Sequence, residues 1–319
     1  PTTGKQTTDE IGAINHPITM GSVVKGAMIM GGFMSGVITP SNNTLTDMPI
    51  KLAGTSAKTS WFNKTGSANI ALNAATALEV SSNSYMMQLA MKEGGMKYVS
   101  GGAIDLDPSI FTKLRYYFKM FGLGVKTGID LPGESSGYEG PSKQSNIGSA
   151  LDLSYGNYDG YTTIQLAQYM STIANGGYRM RPYIVKQVRG TNKDGSLGAI
   201  EYTTKPEVLG TIPATAAEWK IVKEGLYDVV HGSSTYITGK KLASDTPSIS
   251  GKTGTGETFY KNNSTITLSF AGYAPSDNPQ VVVALAIPGA STDGGANLTM
   301  ASQIFKAFWK DVKSSKDYQ

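Results

Sequence analysis

The chain predicts an α+β fold in which an antiparallel sheet is flanked by helices and accompanied by a mainly helical lobe. Two observations carry this reading. Three β-rich runs, Ser248 to Glu257, Thr265 to Ala274 and Gln280 to Pro288, crowd toward the C-terminus. The last two flank Pro275-Ser276-Asp277-Asn278-Pro279, whose residue types favour a turn, so a hairpin is expected. Segments with helical composition, by contrast, lie mostly ahead of these runs. The organisation expected is one domain over residues 1–319, with a helical lobe at about 39–150 and a sheet-rich part at about 178–319. There is no internal repeat and no low-complexity tract.

In chain order, Thr2-Thr3-Gly4-Lys5 reads as a turn, and residues 22–38 as a helix interrupted or ended by Gly31, Gly32 and Gly36. Residues 39–66 are rich in loop formers. Ile70 to Val80 reads as a helix that stops at Ser81-Ser82-Asn83, and Ser84 to Glu93 as a second one ended by Gly94-Gly95. Asp107 to Phe121 places Leu114, Tyr117, Phe118 and Phe121 on one helical face. Gly122 to Pro141 is a glycine-rich loop. Thr162-x-x-Gln165 has the spacing of a capping box ahead of a helix to about Ile173, closed by Asn175-Gly176-Gly177. Pro182 to Val188 reads as a strand, Ala214 to Val230 as a helix. Ala301 to Val312 is an amphipathic closing helix with Ile304, Phe305, Phe308 and Trp309 apolar.

Composition narrows the chemistry. With 39% apolar and 16% charged residues among 319, the chain can bury a sizeable core. It has no cysteine, which excludes thiol catalysis, disulfides and cysteine metal sites. His16 and His231 are the only histidines and read as ordinary surface or loop residues, so a histidine triad or metal site has little to draw on. No cofactor and no metal is expected. The net charge of +4 comes from scattered lysines, which gives no support for nucleic-acid binding. The apolar run Val281 to Pro288 is too short to cross a bilayer, which takes ~20 residues. The chain lacks an initiating methionine and a signal segment, and is expected to be a soluble part of a longer protein.

Ser22 is the only serine followed three places later by a lysine, Lys25. On a helix such residues share one face with Cβ atoms roughly 5–6 Å apart, so the amine is expected to reach the hydroxyl. A serine needs a neighbour to take its proton, and lysine serves only when burial or a nearby cation keeps it neutral. Two further elements complete an ordered set, Ser-x-Asn and Lys-Thr-Gly. Lys-Thr-Gly occurs at Lys64, Lys126 and Lys252, and only Lys252-Thr253-Gly254 lies in a β-run followed by further strands. Glycine in that strand is expected to let substrate backbone approach closely. Ser-x-Asn occurs at Ser41, Ser67, Ser81 and Ser276; the last fills a hairpin turn. Ser81 and Asn83 are chosen because they sit at a break between two helices, with Ser67 as the rival.

These motifs, with the runs Leu78 to Met86, Gly122 to Glu134, Gln165 to Tyr169 and Ser250 to Thr255, resemble class B penicillin-binding proteins, most of all the 2B type of low-GC Gram-positive bacteria. The resemblance runs over nearly the whole chain. It implies the fold shared by penicillin-binding proteins and serine β-lactamases, and a peptidoglycan D,D-transpeptidase. Ser22 would attack the carbonyl between the terminal D-alanines of a stem peptide, Lys25 would accept its proton, and Ser81 would pass a proton to the leaving amine. Asn83 would hold Lys25 and the substrate amide. The backbone N–H groups of Ser22 and Thr255 would form the oxyanion hole. Lys252, Thr253 and Thr255, beside Gly254, would bind the terminal carboxylate, Lys252 also keeping Lys25 neutral. β-Lactams would acylate Ser22 and stall. Which lysine or serine is the base stays open.

The resemblance further implies a place on the extracytoplasmic face of the membrane, an anchor outside this chain, and partners in a membrane glycosyltransferase and the elongation or division machinery. It implies that the first sheet strands precede these residues. One departure is Gly256, where the family usually has alanine, expected to soften the strand. A serine β-lactamase, a D,D-carboxypeptidase and a β-lactam sensor domain are the alternatives. Glu134, the nearest candidate for a deacylating glutamate, reads as a solvated loop carboxylate. Trp61 and Tyr155 to Tyr158 read as packing residues, and Tyr236 to Gly239 as a possible edge of the site only through closeness to Lys252 in sequence.

Overall fold

A computed structural model describes residues 8–260 and 262–315. The turn expected at Thr2 to Lys5 lies outside them. After the short helix α1 (Gly12–Asn15), a 3-10 turn (Gly21–Val24) leads without a break into α2 (Lys25–Ser35). Every residue of α2 from Lys25 to Phe33 is buried, as expected of a helix apolar on all sides. Its glycines let neighbours come close: a Cβ on Gly31 would stand 2.3 Å from the Tyr117 ring. The helix ends at Gly36, left-handed at φ 77°.

The helical lobe follows with β1 (Leu45–Asp47) paired antiparallel to β2 (Ile70–Leu72), then α3 (Ala74–Glu79), α4 (Asn83–Glu93), α5 (Ser109–Met120) and α6 (Ser149–Ser154). The helix expected over Ile70 to Val80 is therefore corrected at its start. Asn73 ends the strand and caps α3, its side chain accepting from Thr76 N at 2.8 Å. Helix α7 (Thr163–Ala174) opens with the reciprocal Thr162–Gln165 capping box.

A small sheet region comes next. β3 (Tyr178–Met180) pairs with β6 (Val208–Thr211), and β4 (Gln187–Thr191) with β5 (Leu197–Thr203). The strand expected over Pro182 to Val188 is corrected, since only Gln187 and Val188 join a ladder. The segment before them is held by Asp130, whose carboxylate accepts from Ile184 N and Val185 N at 2.7 and 2.9 Å. Helix α8 (Ala216–His231) starts with a second capping box, Thr215 with Glu218.

The main sheet has the order β7 (Ser250–Tyr260), β8 (Asn263–Ala274), β9 (Val281–Ala290), antiparallel throughout, with the expected turn at 275–279. Helix α9 (Ala296–Ala307) packs on β8 and β9, starts five residues before the position expected for the closing helix, and runs into a π-helical turn (Phe308–Val312). One large core surrounds α2, and a smaller one, with Val229, Ile249, Phe270, Leu285 and Phe305, lies between the sheet, α8 and α9. No helix among the described residues is long and apolar enough to cross a membrane.

Candidate active site

The serine turn and β7 are pressed together, and glycines make this possible. A Cβ on Gly254 would stand 2.3 Å from both Met20 O and Ser269 Oγ, and one on Gly256 would stand 2.3 Å from Thr19 O. Gly254 is thus required by packing against the turn that carries Ser22, where the sequence suggested room for substrate backbone. The ladder continues unbroken through the Gly256–Thr267 pair, where the Cβ of an alanine would meet Thr19 O. Ser269 Oγ donates to Met20 O at 2.6 Å, and Gly21 N to Gly156 O at 3.0 Å, tying the turn to the sheet on one side and to the α6–α7 loop on the other.

Alternation along β7 then sorts its side chains. Lys252 and Gly254 are buried, while Thr253 and Thr255 face a cavity of 470 Å³ that Ser22, Ser81 and Asn83 also line. Lys25 and Lys252 are fully buried and do not line it. Lys25 Nζ lies 2.7 Å from Asn83 Oδ1, 2.8 Å from Ser81 O and 3.2 Å from Ser81 Oγ. The sequence-predicted residues thus converge on one place, with one difference. Among the described residues no hydrogen bond joins Lys25 to the Ser22 hydroxyl: the amine is drawn instead to the Ser81–Asn83 turn. The other Lys-Thr-Gly matches, and Ser67, do not line this cavity.

Local structure explains why that turn is rigid. Ser81 is left-handed, at φ 57°, a conformation uncommon for a residue with a side chain. Ser82 follows as the N-cap of α4, accepting from Tyr85 N at 2.9 Å. The Trp61 indole donates to Val80 O at 3.0 Å, and Asn83 Nδ2 to Thr59 O at 3.2 Å. Every contact clamps the break between α3 and α4 from outside.

The electrostatics suit a proton acceptor. Burial, and then the positive charge of Lys252, hold the Lys25 pKa well below its ordinary value, with Asp47 pulling the other way. Burial alone pushes Lys252 down to about 7. A neutral Lys25 has two N–H bonds and one lone pair. Its two short contacts go to oxygens that can only accept, which leaves the lone pair for a hydroxyl.

Burial of the amines also links folding to pH. Between about 7 and the ordinary value of 10.5, the unfolded chain holds a proton on Lys252 that the folded chain has released. Stability therefore rises with pH across that window, by at most ~1.4 kcal/mol per unit for one group, and the cost is fully present below about pH 7. Lys25 acts with the same sign. The expected result is a denaturant midpoint that climbs from about pH 7 to about pH 10, less steeply in Lys252→Met. Parallel slopes in the two proteins would show that Lys252 stays protonated in the fold.

Trp61, read as a packing residue, lines the cavity, as do Ile237 and Thr238 from the segment read as an edge of the site; Asp293, Asn297 and Leu298, which also line it, escaped the sequence reading. The Thr238 and Thr253 hydroxyls lie 2.6 Å apart, and Thr255 Oγ1 donates to Asp293 at 3.3 Å. Tyr155 and Asn157, read as packing residues, border a second, adjoining cavity of 440 Å³ that shares Ser22, Asn83 and Thr255. Glu134 is not a solvated carboxylate: it is half-buried and accepts from Thr127 N at 2.6 Å and Gly128 N at 3.1 Å. It staples its own loop and lines neither cavity.

Residues 1–310 match the family described as penicillin binding protein transpeptidase domain. This chain belongs to that family. Penicillin-binding protein 2B of Streptococcus pneumoniae is 37% identical over 314 residues, 97% of this chain and 45% of that protein. Penicillin-binding protein H of Bacillus subtilis is 39% identical over 306 residues, covering 93% of this chain and 41% of that protein. The chain thus spans less than half the length of these relatives. The solved structure of the Streptococcus pneumoniae 2B protein superposes with a TM-score of 0.92 at 35% identity, over 98% of this chain and 51% of that one. The α+β architecture expected from sequence is that of penicillin-binding proteins.

Proposed function

We propose that this domain is a peptidoglycan D,D-transpeptidase and a target of β-lactam antibiotics. The observation that carries the reading is Lys25: a fully buried amine with a lowered pKa, held by Ser81 and Asn83 beneath a cavity that Ser22 lines. Ser22 Oγ attacks the carbonyl between the two terminal D-alanines, and its proton passes to Lys25. The C–N bond breaks, D-alanine leaves with a proton relayed through Ser81, and an acyl-serine remains. Backbone N–H groups of Ser22 and Thr255 stabilise the oxyanion, each donor being worth ~3–4 kcal/mol in sites of this kind. Thr253 and Thr255 receive the substrate carboxylate at the β7 wall, and Lys252, expected to share this role, is buried behind them, off the cavity surface. An amine from a neighbouring stem then displaces Ser22 and forms the crosslink.

Two features favour transfer over rapid hydrolysis. Glu134 is occupied in its own loop, and among the described residues it does not reach the cavity. Family membership points the same way. By the same reading the domain works at the extracytoplasmic face, anchored by a segment outside this chain, beside a membrane glycosyltransferase of the elongation or division machinery. Intact mass after benzylpenicillin is the test, paired with D-alanine release from a stem peptide in the presence of an amine acceptor. A long-lived adduct and an amide product are expected. Rapid loss of the adduct with drug turnover would instead identify a β-lactamase, and release of free acid alone a carboxypeptidase.

A further inference from the structure

Behind the Ser81–Asn83 turn lies a carboxylate that the proposed chemistry does not use. Asp47, at the end of β1, is 1% exposed, and among the described residues it has no ion pair. Its partners are the Ser60 and Ser82 hydroxyls, both 2.5 Å from Oδ2, and Asn63 Nδ2, 2.9 Å from Oδ1. The direction of each bond follows from what the partners already do. Ser60 Oγ accepts from Asn83 N at 3.0 Å and Ser84 N at 3.2 Å, and Ser82 Oγ accepts from Tyr85 N at 2.9 Å. Ser60 has both lone pairs engaged by backbone and Ser82 one of its two, and a carboxylate oxygen only accepts, so both hydroxyls point their hydrogens at Asp47. The carboxylate is an acceptor at every contact. A buried carboxylate is costly unless it is hydrogen-bonded, and here the bonds it collects organise the first turn of α4.

We propose that Asp47 is a positioning residue for the acylation step: through Ser60 and Ser82 it locks the turn that holds Lys25. The inference rests on Lys25 acting as the base for Ser22. The route is short: Asp47 to Ser60, Ser60 to the Asn83 backbone, Asn83 Oδ1 to Lys25 Nζ at 2.7 Å. The groups that face Lys25 from the packed elements are Lys252 on β7, which favours the neutral amine, Asp47 on β1, which opposes it, and the uncharged Ser81 and Asn83. From α7 the Tyr169 phenol, kept neutral by burial, lies against Gly26. Burial and Lys252 both favour the neutral amine, and the charge of Asp47 acts in the opposite direction, toward a stronger base.

The test is the pH profile of acylation by benzylpenicillin, measured for the full chain and its variants. In Asp47→Asn the acid limb is expected to move to lower pH, because the amine loses its proton more readily, and the plateau rate to fall, because it is a weaker base. Asp47→Glu keeps the charge and is expected to keep the wild-type limb. Ser82→Ala weakens the same scaffold without touching the charge, so it is expected to lower the rate with the limb in place. A limb unmoved in Asp47→Asn, or moved equally in Ser82→Ala, overturns the proposal. Should Asp47→Asn not fold, Asp47→Thr, whose hydroxyl can still accept from Ser60 or Ser82, carries the measurement. Failure of both to fold overturns it in favour of a purely structural anchor. Wild-type protein that forms no adduct would refute the transpeptidase reading itself, which separates the two failures.

Discussion

Ser22→Ala is expected to form no adduct with benzylpenicillin and to release no D-alanine, while unfolding at the same denaturant concentration as the wild type. Complete loss of chemistry with little loss of stability follows from where the oxygen sits. The Ser22 side chain makes no hydrogen bond among the described residues, and it stands at the cavity wall. Deleting a half-buried hydroxyl that has no hydrogen-bond partner leaves no buried group unsatisfied, so it costs little. The turn itself is fixed by Gly21 N to Gly156 O and by Ser269 Oγ to Met20 O, neither of which involves the Ser22 side chain. The one other serine hydroxyl at this cavity, Ser81, is 3.2 Å from the Lys25 amine and held in a left-handed turn. An adduct that persisted in Ser22→Ala and mapped to Ser81 would reverse the roles of the two serines.

The parts of this site that were legible in the sequence are those in which chemistry follows local spacing. Ser22 and Lys25 are three apart, so any helical turn brings them to one side. Ser81 and Asn83 could be chosen over Ser67 because a helix break rigidly displays a short polar segment, and the Ser82 N-cap is the physical form of that break. Lys252 could be chosen over Lys64 and Lys126 because only it lies in a strand with strands after it. The sheet runs were legible for the same reason, since alternation and turn residues are local signals.

What the sequence hid is assembled from distant residues. Asp47 meets Ser60, Asn63 and Ser82 across separations of 13, 16 and 35 positions, and a Leu-Thr-Asp stretch among loop formers gives no sign that its carboxylate ends up buried. Thr238 reaches Thr253 only because the segment after α8 folds back along β7. Strand β2 was masked by the helical residues that follow it, and only the Asn73 cap divides the two. Gly254 shows the subtler limit. The residue type was noticed, but its cause is a backbone contact with Met20 that lies far away in the chain.

Lys25→Met is expected to slow acylation of Ser22 by about 10²–10⁴-fold, the usual contribution of a positioned general base. Methionine matches the apolar stem of lysine, one atom shorter and without the amine, so most of the packing of α2 is retained while the amine is lost. The cost falls on Ser81 O and Asn83 Oδ1, which each lose a donor, so some loosening of the turn is expected along with the lost base. Lys25→Arg separates the two effects. A guanidinium can donate to the same oxygens, but it does not give up its proton and so cannot accept one from Ser22. If Lys25 is the base, arginine is as slow as methionine even where it restores the denaturant midpoint. If Lys25 acts only by holding the turn or by its charge, arginine recovers most of the rate. Stopped-flow acylation of the two variants, read beside their unfolding curves, decides between these. Recovery by arginine would transfer the role of base to Ser81 or Lys252, the two other groups close enough to the buried amine to take it.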